Sequence, residues 1–234
     1  MKSIFRQAAA AALLCLGLAA PAWAQYVIGA GGSMDMSGGG SMDMGCLAVQ
    51  VEGALLIGDG QFATSSNLNV AGGGEFNGGS GVLAVGGDLS SSGTFNAGTG
   101  SVVLTDGCTG NTSQLSGTMV FQNLTLSSTS GRTFVIPAGT NITVLGTLTL
   151  QGAPGQNIQL ISSGGGTAVI NLGPSASVNQ NFATVTGTVV IGGAAAAASI
   201  PTLGETSLML LALLMGIAAF VQRRSFAAAI SRRL

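Results

Sequence analysis

Few side chains of this sequence could do chemistry, and most of those cluster near one end. Residues 33–44 read Ser-Met34-Asp35-Met36-Ser-Gly-Gly-Gly-Ser-Met42-Asp43-Met44, and Cys46 follows after Gly45. Thioethers are soft ligands that favour Cu(I), so Met34, Met36, Met42 and Met44, beside two carboxylates and a thiol, form a candidate copper trap. The same tandem, Gly/Ser-rich composition is that of a flexible spacer, and on that reading residues 25–46 are a linker with no metal bound. Histidine is absent from the chain, its one Trp is Trp23 and its one Lys is Lys2. Ser-His-Asp and Cys-His constellations and His-ligated zinc are thereby excluded, as is a lysine nucleophile beyond the first residues. Carboxylate pairs of the glycosidase kind are the catalytic option left. Residues 25–199 hold seven acids (Asp35, Asp43, Glu52, Asp59, Glu75, Asp88 and Asp106) against one base, Arg132, a net charge of −6. A nucleic-acid surface needs clustered Lys and Arg, so that class falls away. The expectation is a non-enzyme without a cofactor.

The ends of the chain carry the sharper signals. Lys2 and Arg6 precede an apolar stretch from Ala8 to Ala20, and Ala22 and Ala24 put small residues where a signal peptidase inspects them. Residues 1–24 therefore read as a signal peptide cut before Gln25. At the other end, Leu208–Val221 is an unbroken run of 14 apolar residues. As a helix it rises about 21 Å, short of a hydrocarbon core of roughly 30 Å, but flanking polar residues and a snorkelling Arg223 close the difference. The run has no polar face, which argues against a buried helix of a soluble domain. Arg223, Arg224, Arg232 and Arg233 all follow it, placing the tail 225–234 in the cytoplasm and residues 25–199 on the opposite side.

Immediately before that span stand Ile200-Pro201-Thr202-Leu203. Tetrapeptide, span and Arg223-Arg224, in that order behind a secretory signal, resemble the IPTL-CTERM sorting signals of Gram-negative bacteria over residues 200–224. Of the residues that usually follow the tetrapeptide in that family, this sequence keeps Glu205. The resemblance implies an exosortase-type processing enzyme as partner, an inner-membrane precursor held by its C-terminal helix, and a cell-surface or extracellular product.

Between the ends, residues 47–193 read as one β-rich domain, joined to the sorting signal by an Ala-rich connector at 194–199. Short runs such as Ala54–Ile57, Val82–Val85, Thr147–Leu150 and Ala168–Leu172 alternate with Gly, Asn and Ser, and none has helical period. Phe76-Asn-Gly-Gly-Ser-Gly-Val-Leu recurs as Phe95-Asn-Ala-Gly-Thr-Gly-Ser-Val-Val-Leu, with the Phe residues 19 apart. That interval is the size of one β-solenoid coil. The expected fold is an all-β, Gly/Ser/Thr/Asn-rich solenoid of the right-handed β-helix kind, loosely similar in texture to bacterial surface β-helix proteins. A β-sandwich is the alternative.

Cys46 and Cys108 are an even pair in an exported segment, hence disulfide candidates, and a closed loop of this length would contribute up to about 4 kcal/mol. Three coils of about 4.8 Å separate them in a solenoid, beyond the ~7 Å that a bridge spans. A regular solenoid thus predicts two free thiols unless the segment around Cys46 folds back as a cap. In function, the chain reads as a structural or adhesive surface protein that meets extracellular polysaccharide through a polar β face. A carbohydrate-active β-helix enzyme and a Met-rich copper binder are the alternatives.

Overall fold

The computed structural model describes residues 25–192. The signal peptide expected around Ala22 and Ala24, the expected connector at 194–199, and the C-terminal segment with its apolar run lie outside the described residues. Within them no helix is long and apolar enough to cross a membrane.

Among the described residues, twenty strands wind into a parallel β-solenoid of about 8 turns. The first coil holds β1 (Gln25–Ile28), β2 (Ser33–Asp35) and β3 (Ser41–Asp43), one strand on each of three sides. The second repeats this with β4 (Ala48–Val51), β5 (Ala54–Leu56) and β6 (Gln61–Thr64), the third with β7 (Leu68–Val70), β8 (Glu75–Asn77) and β9 (Val82–Val85), and the fourth with β10 (Leu89–Ser91), β11 (Thr94–Asn96) and β12 (Ser101–Leu104). From there the strands lengthen. β13 (Thr112–Ser127) lines the fifth coil by itself, and β14 (Thr133–Pro137) with β15 (Asn141–Gln151) makes the sixth. β16 (Ile158–Ser163), β17 (Ala168–Leu172) and β18 (Ser177–Asn181) form the seventh, and β19 (Ala183–Val185) and β20 (Val189–Ile191) begin the last.

Parallel register turns the period-2 alternation of each strand into columns that run the length of the molecule. On the second side, Met34 stacks on Leu55, Leu55 on Phe76 and Phe76 on Phe95. The column is continued by Met119, Ile142, Ile170 and Ile191. The Phe repeat read in the sequence is therefore one coil advance. Its rings stack with centroids 4.6 Å apart, and Phe121 closes on Phe95 edge-on at 5.5 Å. On the third side the inward column is Met42, Phe62, Leu83, Val102, Leu124 and Leu148. Burial of these columns makes one continuous core.

Residues 25–46 are not a flexible linker but the first coil. The Ser-Met-Asp-Met alternation has strand period, and it sends each methionine inward over a buried residue of the second coil. Met34 lies over Leu55 and Met42 over Phe62, while Met36 and Met44 continue the same alternation, and Met34, Met36 and Met44 pack against the core. No strand of the described residues pairs beyond them, so Met42 stays 37% exposed.

Candidate functional site

One corner of the solenoid departs from the regular winding. After β12 the chain does not step directly into the fifth coil. Residues 105–111 instead run back along the corner, past the third coil to the second and first. At the tip of this strap the Cys108 N–H donates to Ser65 O at 2.6 Å, and Cys108 is disulfide-bonded to Cys46 with their Cα atoms 5.7 Å apart. A regular solenoid predicted free thiols because it equated sequence separation with height along the axis. Here the loop carrying Cys108 folds back, rather than the segment around Cys46, and it carries the sulfur down across the intervening coil. Glycine makes the passage possible. A Cβ on Gly86 would lie 2.8 Å from Gly107 Cα, and one on Gly107 would strike the carbonyl oxygens of Gly86 and Ser65, so the two backbones touch directly.

The strap's two legs are held by the opposite charges Asp106 and Arg132. Asp106, on the outgoing leg, accepts hydrogen bonds from Ser128 Oγ (2.5 Å), Thr129 N–H (2.8 Å), Thr129 Oγ1 (2.9 Å) and Ser130 Oγ (3.0 Å). Partial burial pushes its carboxyl up, but those four donors outweigh it and hold the pKa at about 2, below the ordinary 3.8. Arg132 grips the return leg. Its Nη1 donates to Ser113 Oγ at 2.6 Å and to Thr112 O at 3.3 Å, and its Nη2 donates to Gly110 O. The guanidinium is 1% exposed, and its Nε lies 3.9 Å from Asp106 Oδ1 without a hydrogen-bond partner. Burial lowers the Arg132 pKa, opposed by the charges of Asp106 and Asp88. Sequence separation hid this pair, because the acid and base are 26 residues apart and meet only through the winding.

Five of the other six acids accept hydrogen bonds from neighbours on their own or an adjacent coil. Asp35 and Asp43 each accept a backbone N–H two residues on, from Ser37 and Gly45. Asp59 accepts Ser80 Oγ at 2.6 Å, Glu52 accepts Gln50 Nε2 at 2.5 Å, and Asp88 accepts the Gln114 N–H at 2.8 Å. Among the described residues no group of three or more Cys, Asp or Glu side chains is arranged to hold a metal ion. Met34 and Met42 lie in β2 and β3, on two sides of the solenoid, and Met36 and Met44 just after them; Met34, Met36 and Met44 pack against the core.

A second feature lies on the third side of coils five to seven. Register sets Asn123 beside Thr147 and Ser177, Thr125 beside Thr149 and Asn179, and Ser127 beside Gln151 and Asn181. These nine residues alternate with the inward Leu124, Leu126, Leu148 and Leu150, so all nine project outward. Each carries a hydroxyl or carboxamide and none a charge. The outer columns are cross-linked: Asn123 Oδ1 accepts the Thr147 N–H at 3.3 Å, Thr147 Oγ1 and Ser177 Oγ lie 3.3 Å apart, and Asn181 Nδ2 donates to Gln151 Oε1 at 3.5 Å. Strand geometry spaces the array by about 4.8 Å between coils and about 6.7 Å along each strand.

Residues 198–225 match the family model of the IPTL-CTERM motif. The C-terminal segment is an IPTL-CTERM sorting signal. The match supports an exported, membrane-associated precursor that an exosortase then processes, and with it a surface protein. Comparison with curated proteins and with solved structures finds no match.

Proposed function

We propose that the solenoid is a non-catalytic surface element with a structural or adhesive role in the cell envelope or extracellular matrix, and that its partner is an uncharged extracellular polysaccharide. The uncharged array on coils five to seven carries this reading. A flat grid of neutral donors and acceptors matches a polymer that presents many hydroxyls at repeated intervals and carries no charge to pair. Elsewhere the exported segment is acidic, at net −6, which favours approach on this side by a polymer without positive charge. An enzymatic reading is less well supported. Arg132, the only base of the exported segment, is buried, and Asp106 is occupied by Ser128, Thr129 and Ser130. The copper reading is weakened because three of the four methionines, Met34, Met36 and Met44, pack against the end of the core.

Sedimentation of the full-length protein with an insoluble neutral glucan, and with extracellular polymer from its own host, tests the proposal. Thr125→Lys and Thr149→Lys together should reduce retention at least about tenfold, since each places an unpaired charge against a neutral polymer. Equal retention of the variant, or release of soluble sugar by the wild type, would refute the adhesive reading. Intact-mass measurement of the product from its host tests processing separately, because exosortase cleavage removes the mass of the apolar span.

A further inference from the structure

The disulfide and the buried arginine act on the same seven-residue strap, and they differ sharply in accessibility. Cys46, Cys108 and residues 107–110 are exposed, whereas Arg132 is enclosed. Gly110 O, on the strap's return leg, forms one wall of that enclosure, while Ser113 and Thr112 belong to β13 and stay with the sheet. Apart from the S–S bond, the strap's tip is tied to the solenoid by the Cys108 N–H to Ser65 O bond and by a long contact from Thr109 Oγ1 to Gly86 O at 3.4 Å. The strands beneath it are held by parallel ladders, which the β13–β15 pair keeps on both sides of one register shift between Phe121 and Asn123. Local opening therefore costs far less at the strap than in the coils, once the covalent tie is gone.

We propose that residues 107–110, hinged between Asp106 and Asn111, which stay bonded to the sheet, are a thiol-operated cover: reduction of the Cys46–Cys108 bond releases them from the first and second coils and opens Arg132 to solvent, while the solenoid stays folded. The chemistry is ordinary exchange with a dithiol. A thiolate of the reductant attacks one sulfur and forms a mixed disulfide, releasing the other cysteine as thiolate, which takes up a proton. The second reductant thiol then displaces the mixed disulfide, so the dithiol leaves oxidised and two cysteine thiols remain. Opening removes Gly110 O from the guanidinium and presents to solvent the one cation of an otherwise acidic exported segment. The inference does not depend on the polysaccharide reading.

Phenylglyoxal labelling of the full-length protein, mapped by peptide mass so that Arg132 is read apart from Arg6 and the C-terminal arginines, provides the test. Dithiothreitol, with both thiols confirmed by alkylation, should raise the Arg132 labelling rate at least about tenfold, as expected for a local opening no longer closed by a covalent bond. A Cys46→Ser, Cys108→Ser variant should label at the reduced rate without reductant. Hydrogen exchange of β15 should be unchanged in both. An Arg132 that remains protected after full reduction would overturn the proposal. So would loss of β15 protection, since the bond would then hold the whole domain rather than a cover.

Discussion

Coils one to four and coils five to seven wind around one core, yet they turn their corners differently. In the first group every side has its own strand of three or four residues, and register advances by 19 to 23 residues per coil. In the second group, β13 and β15 run through corners as single strands of 16 and 11 residues, and the advance reaches 30 residues at β15 and β18. Short strands with a nearly even advance stack the turns at Gly58, Gly79 and Gly98 backbone on backbone, which leaves no room for a side chain in that column. Longer coils let some turns swing clear, and their sequence is constrained along the sides instead, where hydroxyls and amides meet in register.

Substituting a corner glycine in each group is the strongest test of that contrast. Gly98 has φ +65°, and a Cβ there would lie 2.8 Å from Gly79 N, whereas Gly139 has φ +86° with nothing within 4 Å. Left-handed backbone alone costs a non-glycine residue about 1–2 kcal/mol, so Gly139→Ala should lose that much in urea unfolding and Gly98→Ala more than about 3 kcal/mol. Equal losses would erase the distinction. Next in size comes Arg132→Met, which removes the donor shared by Gly110, Thr112 and Ser113 where the two groups join, and should cost about 3 kcal/mol. A loss under about 1 kcal/mol would mean that the groups meet without it.

Acid probes the same junction more gently. The Asp106 carboxyl titrates at about 2 in the folded protein against an ordinary 3.8, so its stabilising share is complete above pH 3.8 and is lost as pH falls through about 2. The Thr129 amide resonance should shift with that midpoint, and Asp106→Asn should abolish the shift. The smallest effect belongs to the later coils' side. Asn123→Ala removes the bonds to Gly100 O and the Thr147 N–H and should cost about 1 kcal/mol. Thr125→Ala, outside that cross-linked column, should stay within about 0.5 kcal/mol.

The Phe76 and Phe95 repeat made the coil legible, because in a solenoid a sequence period is a spatial advance. The first coil was harder to read. Its Gly and Ser content is that of a spacer, and only the alternation through Met34, Met36, Met42 and Met44 marked it as strand, with methionine where inner coils use Leu, Ile and Phe. The bridge and the Arg132 enclosure were less legible still. Both depend on a corner loop that reverses along the axis, and no local pattern around Cys108 announces a reversal. The adjacent Gly86 and Gly87, which leave the groove in which it lies, are the one sequence trace. The uncharged side of coils five to seven was visible only as Thr- and Asn-rich texture until register aligned Thr125 with Thr149.

The staple between the first and fourth coils also has a mechanical meaning. A chain pulled at its ends can shed the outer coils one at a time, but the 62-residue separation between Cys46 and Cys108 is closed by a covalent bond. That closed ring withholds about 200 Å of contour length from any stretching force, at roughly 3.4 Å per extended residue. Under tension the oxidised protein is a short tether with a fixed limit, and each broken disulfide would appear in a force trace as one long, discrete extension.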